Sequence, residues 1–177
     1  MNSGIFTVTE LTGTARDLVL DVQLRFDPKL AKLSPPHITI TGSSGVGPIP
    51  GRTSEERLRT LLQPITDDTA PIEVRFGPPR RFMQTNIIVL PLDPHGPLRT
   101  LHERIASCGL RFERSKFTFS PHCTLSFFPE ITPDAERGLM QVRLDEPFLI
   151  ERVQFYHSTP PQPAVKLLEL ALRKVPS

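Results

Sequence analysis

With 177 residues, 38% hydrophobic and 23% charged, the chain can bury a sizeable core without covalent staples. Its 21 Lys and Arg nearly balance 19 Asp and Glu, and no single basic run marks a duplex-DNA binder. Two cysteines, Cys108 and Cys123, form no CxxC pair or disulfide framework. No apolar run nears the ~20 residues of a membrane span, and the first residues lack a basic leader pattern. These features predict a soluble, cytoplasmic, monomeric protein with no membrane partner.

In chain order, Gly4 to Leu11 and Asp17 to Phe26 read as strands joined by a turn at T-G-T-A-R. In the second, Leu18, Leu20, Val22 and Leu24 alternate with Val19, Asp21, Gln23 and Arg25. Asp27 to Leu33 reads as a short helix ended by Pro35 and Pro36. A strand then carries S-P-P-H-I-T-I-T, Ser34 to Thr41, and leads into the glycine-rich G-S-S-G-V-G-P-I-P-G. That loop lacks the Gly-Lys-Ser/Thr of a phosphate-binding loop and is expected to be a mobile rim. Thr53 opens a helix through a T-x-x-E box to Glu56, with Leu58, Leu61 and Leu62 as its apolar stripe. Ile72 to Phe76 reads as a strand, G-P-P-R-R breaks it, and Gln84 to Leu92 follows as a longer one. Leu98, Leu101, Ile105 and Cys108 mark a helix face ending at Gly109. The run Phe117 to Phe127 is the next strand. Thr132 caps a helix with Pro133 at its first position, and Phe148 to Tyr156 and Val165 to Leu172 close the chain. His95 reads as a turn residue, His102 as a helix-flank residue and His157 as structural.

The strands around His37 and His122 carry the chemistry. Successive side chains on a strand alternate faces, so His37, Thr39 and Thr41 share one face and Ile38 and Ile40 the other. In F-T-F-S-P-H-C-T-L-S-F, His122 and Thr124 likewise oppose Cys123 and Leu125. The motifs lie 85 positions apart, too far for a solenoid repeat but suited to two related lobes facing a cleft within a single domain spanning 1–177. Residues i and i+2 sit ~6.5–7 Å apart on one face, so an imidazole and a threonine hydroxyl can meet one tetrahedral phosphate. Two such units facing each other put a histidine on each side of the phosphorus, the arrangement for in-line displacement by paired acid and base. One His-x-Thr alone is a weak signal. Two copies with matched parity and a preceding Ser-Pro form a specific one. A metal site would want a third ligand, whereas Cys123 lies on the opposite face and neither motif holds a carboxylate. No metal or cofactor is called for.

H-I-T-I and H-C-T-L resemble the paired H-x-T-x motifs of the two-histidine (2H) phosphoesterase superfamily. Within it, the chain looks most like the LigT-like branch of 2′-5′ RNA ligases and RNA 2′,3′-cyclic phosphodiesterases, over nearly its whole length. The resemblance implies an α+β fold of two pseudo-symmetric lobes of antiparallel sheet, with outer helices around a central cleft. It implies metal-independent opening of cyclic phosphates on RNA ends or nucleotides. By that likeness His37 would protonate the leaving 3′ oxygen and His122 would activate water, with the reverse allocation left open, while Thr39 and Thr124 would hold the phosphate oxygens. Reversible 2′-5′ ligation would be a side activity. An ADP-ribose-type or 2′-5′ oligonucleotide substrate is an alternative. So is a nucleotide-binding module without turnover, although pure binding has no need of two proton-transfer groups.

One departure matters. Many LigT-like proteins place a basic residue two positions before the second histidine, where this chain has Ser120. Positive charge at the phosphate must then come from elsewhere; Arg80, Arg81, Arg114 and Lys116 are the candidates by sequence proximity. Phe82, Phe128 and Tyr156 are candidates to stack on a base. Tyr156 leads, because Arg152, Gln154, Tyr156 and Ser158 alternate against Val153 and Phe155.

Overall fold

The computed structural model describes residues 3–82, 85–92, 95–128 and 130–173. Its first strand, β1 (Gly4–Glu10), lies antiparallel to β2 (His37–Thr41), with Glu10 opposite His37 and Val8 opposite Thr39. Among the described residues, the short strands β3 (Ile72–Val74) and β7 (Phe148–Ile150) pair only with each other. The remaining strands, β4 (Arg80–Arg81), β5 (Ile88–Pro91), β6 (His122–Ser126), β8 (Arg152–Ser158) and β9 (Val165–Ala171), complete a seven-stranded sheet. Its order is β4-β5-β6-β2-β1-β8-β9, and every pairing in it is antiparallel. With five helices among the described residues the fold is α+β, as the sequence predicted.

The two motif strands are neighbours at the centre of that sheet. They pair through Ile38 and Cys123, each the residue after its motif histidine. Each half of the chain thus supplies one of the two central strands, and the β3–β7 pair likewise joins the two halves. The halves also interlock through the helices. α1 (Gly13–Phe26) packs on β6, and α4 (Gly96–Ala106) packs on β2. Gln23 Nε2 donates to the Thr124 carbonyl at 2.9 Å, and His102 Nδ1 donates to the Ile40 carbonyl at 2.6 Å. Each motif strand is thus braced by a helix from the other half.

Several expectations are corrected. Asp17–Phe26 belongs to helix α1, not a strand. The run carries two apolar periods at once, and packing selects the helical one: Val19, Val22 and Gln23 are buried while Leu24 is 54% exposed. The strand read over Phe117–Phe127 shortens to β6. Pro121 has no N–H to extend the ladder, the Phe127 N–H turns to Asp27 Oδ2 at 2.7 Å, and Phe117 and Phe127 are each 44% exposed. α3 (Glu55–Asp67) is capped by Ser54, whose hydroxyl accepts from Arg57 N, not by Thr53. The Phe148–Tyr156 segment divides into β7 and β8, which sit in different sheets. Of the strand read from Gln84 to Leu92, Gln84 lies outside the described residues and Ile88–Pro91 is the strand observed. G-P-P-R-R does not simply break the chain, since its two arginines form edge strand β4.

Other local readings hold. α2 (Pro28–Leu33) is capped by Asp27 through Leu30 N. α5 (Pro133–Met140) is capped by Thr132 through Ala135 N, with Pro133 first. One apolar cluster joins β2, β5 and β6 to the helices. Ile38, Ile40, Cys123 and Leu125 are all fully buried in it, which fixes the register and leaves the histidines and motif threonines on the other face. Among the described residues no helix is long and apolar enough to cross a membrane.

Candidate active site

Continuing the Ile38–Cys123 register by one residue each way sets His37 opposite Thr124 and Thr39 opposite His122. The four side chains then stand at the corners of a small rectangle on one face of the sheet. Diagonal neighbours on adjacent strands are roughly 7–8 Å apart, so the two imidazoles flank a space of phosphate size, with a hydroxyl beside each. The sequence pattern implied a pair of facing units. Tertiary structure makes them adjacent antiparallel strands.

Both rings are oriented in the same way. His37 Nδ1 donates to the Pro35 carbonyl at 2.7 Å, and His122 Nδ1 donates to the Ser120 carbonyl at 2.7 Å. A carbonyl can only accept, so Nδ1 carries the proton in each ring and Nε2 of the neutral imidazole is the basic atom. In each case the acceptor is the carbonyl two residues upstream, Pro35 in S-P-P-H and Ser120 in S-P-H. Burial pushes the ionisation of both histidines below the ordinary value. For His37 the Pro35 bond and the charge of Glu10 act against that shift. For His122 the Ser120 bond acts against it, while the charges of His37 and Arg80 add to it. Cys123 faces the core, where burial drives its thiol up to about 12, so it is neither nucleophile nor ligand here.

His37, Thr39, His122 and Thr124 open into a cavity of about 190 Å³ that Phe6, Val8 and Tyr156 from β1 and β8 also line. Tyr156 therefore sits where its strand parity predicted. Its hydroxyl donates to Glu10 Oε1 at 2.7 Å, and Lys166 Nζ meets the same oxygen at 2.6 Å. Burial and the bond to Glu10 both raise the phenol's ionisation. Because Glu10 is the cross-strand partner of His37, this network reaches the first motif directly.

On the other flank, the Phe82 ring lies 4.6 Å from the His122 ring, tilted by 40°, and touches Phe117 edge-on at 6.2 Å. Ser120 contributes its backbone: the carbonyl orients His122, and the N–H donates to Ser44 Oγ at 3.1 Å. Arg81 is turned away. Its guanidinium pairs with Glu136 of α5 at 2.8 Å and bonds Asn86, so the helical side claims it. Arg114 and Lys116 lie in the segment before β6, and Phe128 is half-buried; none of the three lines the cavity. Gly42–Gly47 reaches the cavity through Ser43 and is tied to the segment before β6 by backbone bonds. Gly45 N bonds Phe117 O at 2.8 Å, Gly47 N bonds Glu113 O at 2.8 Å, and Ser44 is 4% exposed. A Cβ on Gly45, at φ +73°, would stand 2.2 Å from His102 Nε2, which is why glycine is needed there.

Three contributors were not legible as site residues. Gln23 reaches the cavity from α1 while holding the Thr124 carbonyl. Asp27 caps α2 with one oxygen and holds Phe127 N with the other. His102, stacked on Phe119 at 4.1 Å, supports β2 from behind and is buried, not a helix-flank residue. Only Asp27 had a sequence signal, as the residue before Pro28 at a helix start.

The family model of the 2′-5′ RNA ligase superfamily matches residues 9–160. A Geobacillus kaustophilus (strain HTA426) protein that bears a phosphoesterase name is 30% identical over 148 residues, covering 80% of this chain and 79% of its own. The crystal structure of a Thermus thermophilus protein superimposes with a TM-score of 0.64 at 19% identity, covering 96% of this chain and 97% of that one. E. coli LigT complexed with 3′-AMP superimposes with a TM-score of 0.62 at 13% identity, covering 98% of this chain and 100% of that one. At such identities the superpositions speak for the fold.

Proposed function

The chain belongs to the 2′-5′ RNA ligase superfamily, and on that premise we propose that it hydrolyses 2′,3′-cyclic phosphates of RNA ends or nucleotides to 2′-phosphates, without a metal. The observation that carries this reading is the matched pair of imidazoles. Each is locked by an Nδ1–H bond to the carbonyl two residues upstream, and each stands diagonally across a shared phosphate-sized space. His122 Nε2 takes a proton from water as the water oxygen bonds to phosphorus. The P–O3′ bond breaks on the far side, and Nε2–H of protonated His37 delivers its proton to the leaving O3′. The product carries a 2′-phosphomonoester and a free 3′-hydroxyl. Thr39 and Thr124 donate to the non-bridging oxygens, where charge builds in the transition state.

The nucleoside lies in the cavity against Phe6, Val8 and Tyr156, and Phe82 covers the His122 side. Solved complexes of E. coli LigT with 3′-AMP, NADP+ and ATP support a nucleotide ligand for this fold. Running the same steps backwards, with a 5′-hydroxyl in place of water, would give 2′-5′ ligation. The test is incubation with 2′,3′-cyclic AMP, and with a short RNA ending in a cyclic phosphate, in EDTA, with products identified by phosphorus NMR. A 2′-phosphate is expected. A 3′-phosphate would exchange the roles of the two histidines, and no turnover of either substrate would refute the assignment.

A further inference from the structure

We propose that Arg80 is the cation of this site, standing over the phosphate from the β4 side and replacing the basic residue absent at Ser120. The inference rests on the phosphoesterase reading and deepens it. Directly opposed residues in an antiparallel pair project to the same face. Thr124 is opposite Val89, and Val89 is opposite Arg80, so Arg80 rises on the face that carries both histidines and both threonines. Two independent features fix that parity. Phe82, two residues along, has its ring 4.6 Å from the His122 ring. Arg81, between them, reaches Glu136 on the helical side.

Two strand spacings of about 4.8 Å separate Arg80 from Thr124, a gap an extended arginine crosses along Val89, which is fully buried. Among the described residues the Arg80 guanidinium has no hydrogen-bond or ion-pair partner, whereas Arg81 has several. Its charge is near enough to His122 to help hold that imidazole unprotonated, the form needed to deprotonate water. Arg80 thus has two duties: charge for the dianionic transition state, and bias of His122 toward the base role.

The experiment compares wild type with Arg80→Gln, Arg80→Lys and, as a charge control on α3, Arg59→Gln. Inorganic phosphate is the binding probe, followed by NMR of the histidine ring signals, and 2′,3′-cyclic AMP is the substrate. Arg80→Gln should weaken phosphate binding and lower kcat/KM by about 10- to 100-fold each, raise the titration midpoint of His122, and leave the melting temperature unchanged. Arg80→Lys should restore part of the affinity, and Arg59→Gln should match wild type. Arg80-dependent phosphate binding in a protein that turns over neither cyclic substrate would keep Arg80 as the anion site and reject the reaction. Phosphate affinity and His122 titration both unchanged in Arg80→Gln would overturn the inference.

Discussion

Asp27 joins the α1–α2 corner to the end of β6. The carboxylate is 4% exposed. Oδ1 accepts from Leu30 N at 3.1 Å, capping α2, and Oδ2 accepts from Phe127 N at 2.7 Å. Losing a helix cap costs about 1 kcal/mol, and losing a hydrogen bond to a charged group costs about 1.5–3 kcal/mol. Asp27→Ala should therefore destabilise the fold by about 3 kcal/mol, roughly 6–12 °C in Tm for a chain of this length. Phe127 and Thr124 both line the cavity, so the variant should also lose up to about 10²-fold in kcat/KM on a cyclic phosphate when assayed well below its Tm. Urea titration gives the stability change, and steady-state kinetics in the cold gives the second number. Asp17→Ala is the control, an exposed carboxylate paired with Arg16, and should change stability by less than about 0.5 kcal/mol. A loss for Asp27→Ala no larger than that of a surface substitution, about 0.5 kcal/mol, with wild-type kinetics, would refute the view that this carboxylate anchors the second motif.

Replacing His37 or His122 with Ala should each lower kcat by about 10²- to 10⁴-fold. The double variant should fall little further, because both protons move in one displacement; full activity in either single variant would remove that residue from the chemistry. Both histidines ionise below the usual 6.5, and the reacting pair holds one proton. The alkaline limb of kcat/KM should thus lie below about pH 6.5, with that of kcat higher because the bound phosphate anion favours imidazolium; a kcat/KM limb well above that pH would contradict this. His37, His102 and His122 all have lowered values in the fold, chiefly from burial. The unfolded chain therefore takes up more protons as pH falls through about 6.5, and stability present above that pH is lost below it. Urea midpoints taken about one pH unit either side of 6.5 should show the decline, and His102→Gln should flatten it; equal midpoints in wild type would exclude it.

The sequence alone determined the features that depend on a few adjacent residues. Strand parity put each histidine and threonine on one face, and Thr132-Pro133 and Asp27-Pro28 announced their helices. The repeat of the motif after 85 positions was legible too. Tertiary structure decided whatever needed a partner distant in the chain. Asp17–Phe26 could satisfy a strand or a helix by its own pattern, and the surface it packs on selected the helix. The strand through His122 stopped where Asp27, 100 positions away, took the Phe127 N–H. Nothing in the adjacent pair Arg80-Arg81 separates one arginine from the other until the strands are in place. Pairing of β4 with β5, and of β5 with β6, sends one toward the histidines and the other toward α5. Alternation along a strand is local, but which face becomes the site is settled only by the strands on either side of it.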